Sequence, residues 1–193
     1  MADVLSPLEP NYHPGRYGNM AREAGVVLSE MSPGSIVQVA AWPGQSAALC
    51  AAITRVTGLE IGDTPGSGAV GKTASAFGIA PERYLMSADE EGLDQKAASV
   101  VTADIGTVTD LSHGRTLIRI EGPAAEWVLA KLFAIDFEAL PVESAVSANH
   151  HEIFAQIQRS GANRFDLYVF RSFARSFWTV LCNAAEETGY MVI

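Results

Sequence analysis

Residues 114–132, GRTLIRIEGPAAEWVLAKL, read as strand, turn and helix in close succession. The run from Gly114 to Glu121 is a strand. Gly122-Pro123 breaks it and opens a helix in which Ala125, Val128, Leu129 and Leu132 recur at i, i+3, i+4 and i+7 on one face. Downstream, HEIFAQIQR from His151 and RFDLYVF from Arg164 predict a hairpin turning at Ser160-Gly161-Ala162-Asn163. Ser172 can then cap a helix that buries Phe173, Phe177, Val180, Leu181 and Ala184, and Gly189 ends it before a short strand, YMVI. The order over this stretch is βαββαβ.

The upstream stretch repeats that grammar. SIVQVAAW from Ser35 is a strand, and Pro43 opens a helix with Leu49, Ala52, Ile53 and Val56 on one face. After the glycine-rich loop 58–71 come apolar runs at Ser75 to Ile79 and Arg83 to Met86, which predict two strands and a turn. Asp89 can cap a helix burying Leu93, Ala97, Val100 and Val101, followed by a strand from Ile105 to Thr109. Pro43 and Pro123 stand 80 positions apart, as do Leu49 and Leu129, and Arg83 and Arg164 stand 81 apart, which suggests an internal duplication. The expected fold class is therefore α+β, with two βαββαβ, ferredoxin-like halves at 24–110 and 111–193. An antiparallel sheet with helices on one face leaves the other needing cover, so two such units sharing a core, a two-lobed body, is the expected solution. Residues 1–23, with Pro7, Pro10 and Pro14 and no apolar period, predict an irregular arm.

Composition narrows the function. With 13 Lys and Arg against 22 Asp and Glu, the formal charge of −9 has the wrong sign for neutralising a phosphate backbone, which argues against nucleic acid. An apolar share of 48% and a mean hydropathy of +0.15 are high for an acidic monomer and hint at a partner surface. Cys50 and Cys182 fall in separate predicted helices, where free buried thiols are expected, in keeping with a reducing compartment. The N-terminal stretch lacks both a basic start and an apolar run, and no apolar segment reaches about 18 residues. The expected location is the cytoplasm, with no membrane.

Several motifs invite chemistry. GSGAVGKT, Gly66 to Thr73, matches the phosphate-binding pattern G-x-x-x-x-G-K-[ST] letter for letter. That loop works only between a buried strand and a helix, whereas GLEIGDTP precedes it and Gly78 and Pro81 interrupt the stretch after it, so a flexible hairpin connection is expected. Asp110, Ser112 and His113 in DLSHG hold the ingredients of a triad, but the segment reads as a bend between strands and not as a nucleophile elbow. His150 and His151, if on a strand, face opposite sides and do not easily share a metal. Trp42, Trp127 and Trp178 suit core or interface packing, with a flavin or pterin platform as the alternative. Arg164, Arg171 and Arg175 could bind a carboxylate or phosphate, or be solvated or paired with a partner. No convergent acid–base pair, metal cluster or dinucleotide fingerprint emerges, so no catalytic, cofactor-binding or metal residue is expected in this chain.

The stretch Val108 to Leu132, VTDLSHGRTLIRIEGPAAEWVLAKL, resembles the glycine-cleavage T-protein superfamily, in which a D-[VL]-S-H turn precedes a strand, Gly-Pro and a helix. Together with Phe165 to Gly189, Ser6 to Leu8 and the overall length, it more closely resembles the gamma-subunit family of heterotetrameric sarcosine oxidases. The resemblance implies a fold similar to the N-terminal part of the T-protein. It also implies a non-catalytic place in a complex that oxidatively demethylates sarcosine to glycine, with tetrahydrofolate as one-carbon acceptor. In that family FAD, FMN, NAD, tetrahydrofolate and zinc belong to the alpha, beta and delta subunits, which would be the partners here. A free-standing folate-binding or aminomethyl-transfer protein is the alternative the fold leaves open, and a P-loop NTPase is the third.

Overall fold

The computed structural model describes residues 6–193, so the first five residues of the expected arm lie outside it. Along the chain run β1 (Gly15–Tyr17), β2 (Val26–Met31), β3 (Ser35–Ala41), α1 (Ser46–Thr57), β4 (Gly68–Val70), β5 (Ala74–Ala80), β6 (Arg83–Ala88), α2 (Leu93–Val100) and β7 (Gly106–Asp110). They continue with β8 (Arg115–Glu121), α3 (Ala125–Ala130), β9 (Ala145–His150), β10 (Ile153–Gly161), β11 (Arg164–Phe170), α4 (Ala174–Ala185) and β12 (Tyr190–Val192). The two βαββαβ series are β3-α1-β5-β6-α2-β7 and β8-α3-β10-β11-α4-β12, with β4 and β9 added at equivalent places. The fold is α+β, as the periodicities require.

One compact unit comprises Ser32–Arg115 with Pro141–Ser147. Its sheet runs β4-β5-β6-β3-β7, and without edge strand β4 this is the ferredoxin-like order. Val37, Val39 and Ala41 of β3 pack with Tyr84 and Met86 of β6 against Leu49 and Ile53 of α1 and Leu93 and Ala97 of α2. Ile36, Phe77 and Leu85 point the other way along their strands and are buried too, so these strands are apolar on both faces. Gly58, at φ 74°, stops α1 by returning its amide to the Thr54 carbonyl. The start of α2 departs from expectation: Asp89 does not cap it. Its amide is committed to the Thr73 carbonyl, and the hydroxyl of Ser35 instead accepts the Leu93 N–H at 3.2 Å.

The other unit comprises residues through Met31, Thr116–Leu140 and Ala148–Ile193. Its sheet runs β1-β12-β2-β8-β11-β10-β9. A simple βαββαβ unit would set β12 beside β8, but here β2 lies between them, parallel to β12 (Tyr190 opposite Val26) and antiparallel to β8 (Leu28 opposite Ile120). Strand β2 falls within the expected first half, 24–110, yet it pairs only with strands of this unit. Val26 and Leu28, 1% and 0% exposed, explain why: they continue the apolar face of Ile118 and Ile120.

The arm also differs from an irregular segment. β1 pairs antiparallel with β12, Tyr17 opposite Tyr190. Leu8 is fully buried, Tyr12 donates its hydroxyl to the Ile193 carbonyl and accepts the Glu30 N–H, and its ring lies 5.2 Å from that of Trp178. In α4 the buried set is Ala174, Phe177, Trp178, Leu181 and Ala185, one step round from the predicted face. The cause is the tight turn at Arg171–Phe173, which leaves Phe173 39% exposed before the α-helix begins and removes Ser172 from the cap.

Leu8 is the arm's apolar fastening. Leu8→Ala is expected to lower unfolding stability by about 3 kcal/mol, the range for truncating a buried leucine, read from the urea midpoint of the full chain.

Candidate functional site

GSGAVGKT folds as a hairpin. β4 pairs with β5, Gly68 opposite Phe77, and the Gly71 amide closes the turn onto the Ala74 carbonyl, so a strand follows Lys72 where a phosphate loop needs a helix. Its amides are committed internally: Gly66 to the Gly78 carbonyl, Val70 to the carboxylate of Glu143. Lys72 itself is exposed.

DLSHG is a bracket between β7 and β8. The Ser112 hydroxyl donates to the Asp110 carboxylate at 2.6 Å and accepts the Ile36 N–H at 3.0 Å, while Leu111 donates to the Ile36 carbonyl. The bonds from the Ser112 side chain and amide hold the Asp110 carboxyl below its usual range, with His113 adding a little. Ser112 is thus tied down on both sides, its hydroxyl proton held by the Asp110 carboxylate within the turn.

The histidines behave differently from a strand pair. β9 ends at His150, and His151 takes a left-handed turn at φ 51°, which brings the two rings to 4.6 Å. His150 Nδ1 lies 3.0 Å from the Leu132 carbonyl. Among the described residues no three His, Cys, Asp or Glu side chains converge on a point suited to a metal, and no helix is long and apolar enough to cross a membrane.

The tryptophans separate. Trp178 is buried in the unit's core, whereas Trp42 and Trp127 are 47% and 58% exposed. Trp42 donates its indole N–H to the Ala103 carbonyl at 2.7 Å, and Lys131 Nζ stands 5.7 Å from the ring centre of Trp127. The arginines divide too. Arg164 bonds back to Ser160 across the hairpin and lines a depression of about 350 Å³ with Val27, Glu121 and Asn163. Arg171 and Arg175 line another of about 600 Å³ with Ser6, Pro7, Glu9 and Ser172, where Arg175 Nε bonds the Pro7 carbonyl. The thiols are free: Cys50 is buried against the Tyr84 hydroxyl at 3.4 Å, and Cys182 is half-buried, burial pushing it up.

Three charged residues, Arg159, Arg119 and Asp166, escaped the sequence reading. Arg159 donates to the carbonyls of Phe137, Leu140 and Ala162 and to the Glu126 carboxylate, all within 2.9 Å, and so ties the segment after α3 to β10. Its signal was phase: Ile153, Ala155 and Ile157 face the core, and Arg159 continues their alternation. Arg119 and Asp166 form a two-bond pair at 2.7 and 2.9 Å, with Asp166 only 4% exposed.

Comparison with known proteins gives a consistent outcome. The family model for the sarcosine oxidase gamma subunit matches residues 42–187. A sarcosine oxidase subunit gamma from an Arthrobacter species is 30% identical over 141 residues, covering 70% of this chain and 68% of that one. Its counterpart from Corynebacterium sp. strain U-96 is 26% identical over 171 residues, covering 87% and 83%. Among solved structures, a chain of the heterotetrameric sarcosine oxidase from Corynebacterium sp. U-96, solved with pyrrole 2-carboxylate, superposes with a TM-score of 0.76 at 27% identity over 87% of both chains. An aminomethyltransferase T of the glycine cleavage system from Bartonella henselae shares the fold, with a TM-score of 0.61 at 18% identity over 88% of this chain and 48% of that one.

Two outcomes test the structural roles of these motifs. Lys72→Ala should leave the unfolding midpoint within about 0.5 kcal/mol of the parent and nucleotide titrations flat, as befits an exposed hairpin residue. Because the carboxyl of Asp110 is lowered in the folded state, its contribution is present above the ordinary value of 3.8 and is lost as pH falls through the folded value. The stability gap between the parent and Asp110→Asn, followed by urea unfolding, should therefore be steady from neutral pH to about 5 and close only in stronger acid.

Proposed function

Since the chain belongs to the sarcosine oxidase gamma subunit family, we propose that it is the gamma subunit of a heterotetrameric sarcosine oxidase and contributes surface, not chemistry, to that complex. The complex would oxidatively demethylate sarcosine to glycine, with tetrahydrofolate accepting the one-carbon unit. Its FAD, FMN, NAD, tetrahydrofolate and zinc would reside on the alpha, beta and delta subunits, which are the partners. The observation that carries this reading is the superposition over 87% of both chains on a member of a solved heterotetramer, at a TM-score of 0.76.

The local chemistry supports it. Side chains with catalytic potential are spent on the fold: Ser112 on Asp110 and Ile36, Arg164 on Ser160, Arg159 on three carbonyls. Free Cys50 and Cys182 suit a reducing cytoplasm, and the charge of −9 suits a protein partner better than a nucleic acid.

The test is recovery of partners. A tagged copy expressed at native level in its own host should bring down larger flavin-containing chains together with sarcosine-dependent peroxide production. Repeated recovery of the chain alone, or turnover of sarcosine or tight tetrahydrofolate binding by the isolated chain, would overturn the reading.

A further inference from the structure

Trp127 presents an unusual combination of exposure and restraint. It is 58% exposed on the short helix α3, beside the buried Val128. Lys131 Nζ sits 5.7 Å from its ring centre and is itself pinned, to the Glu187 carboxylate at 2.7 Å and the Ala184 carbonyl at 3.0 Å. The bond and charge of Lys131 hold the Glu187 carboxyl below its usual range. The far side of this cluster is clamped by Asn19, whose amide and side chain donate to the carbonyls of Glu186 and Glu187. The next residue, Met20, is 60% exposed.

A ring with a pinned cation over its face has given up part of the rotamer freedom that binding would cost, while 58% of the residue is still in water. Tryptophans so placed are the side chains that dominate protein interfaces. The charges around it are unbalanced: Lys131 is consumed by Glu187, and Glu186 adds a further exposed carboxylate. We propose that Trp127 is the anchor by which this chain docks on a larger subunit of the oxidase, the ring entering an apolar pocket with a basic rim. This rests on the functional reading above. Trp42 differs: its indole N–H is committed to the Ala103 carbonyl at 2.7 Å, and the pinned cation lies over Trp127.

The experiment uses oxidase purified from a host deleted for its own gamma copy, immobilised and titrated with the full-length chain. Trp127→Ala should bind about 30-fold or more weakly than the parent, the lower bound for an interface hot spot. Glu187→Gln, which loosens the Lys131 ammonium over the ring without removing the ring, should lose about threefold to tenfold. Val142→Ala, at a 51% exposed residue of the other unit, should bind as the parent does. Hydroxyl-radical footprinting of the unaltered protein supplies a readout independent of any variant, with Trp127 oxidised in the isolated chain and protected in the complex. Binding of Trp127→Ala within threefold of the parent, or equal oxidation in both states, overturns the anchor and leaves the subunit reading intact. If the parent itself fails to bind, the subunit reading falls and the anchor with it.

Discussion

The insertion of β2 between β8 and β12 is the constraint on which the seven-stranded unit depends. Val26 and Leu28 complete the apolar face begun by Ile118 and Ile120, and the backbone of β2 satisfies the hydrogen-bonding edges of two strands that would otherwise pair with each other. Both partners arrive much later in the chain, so the sheet closes only through contacts of long sequence separation. The placement of β2 also seats the arm: Leu8, Tyr12 and β1 are brought onto β12 and α4, where Tyr12 ties Glu30 to the chain end.

Polar groups inside this unit act as ties between segments that apolar packing alone would leave loose. Arg159 gathers carbonyls from the stretch after α3, and its cationic fork suits several acceptors at fixed angles better than a lysine would. The Arg119–Asp166 pair links the neighbouring strands β8 and β11. With Asp166 withdrawn from water, the two-bond geometry offsets the desolvation of its charge, and removing one partner would strand the other.

A consistent functional picture emerges from where the reactive side chains went. Ser112, Arg159 and Arg164 are engaged with backbone or neighbouring side chains, and the phosphate-loop lettering sits in a hairpin that bonds the amides of Gly66, Ser67, Val70 and Gly71. By contrast the unit carrying the arm keeps Met20 and Trp127 in water, the latter with the Lys131 ammonium over its ring.

The two βαββαβ series could be read directly from the chain, because periods of 2 and 3.6 and the Gly-Pro breaks are local properties of consecutive residues: β3, α1, β5, β6, β8, α3, β10 and β11 fall where the patterns place them. The hairpin fate of GSGAVGKT was equally legible, since Gly78 and Pro81 exclude the helix a phosphate loop requires. Tertiary structure alone decided the rest. VVLSEM is too short and too polar at Ser29 and Glu30 to announce a central strand, and its partners are remote. The phase of α4 depended on a tight turn that periodicity does not register, and the meeting of His150 with His151 on one left-handed residue. The cluster of Trp127, Lys131 and Glu187 joins one local pair to a residue 56 positions beyond Lys131, a distance that no sequence period can encode.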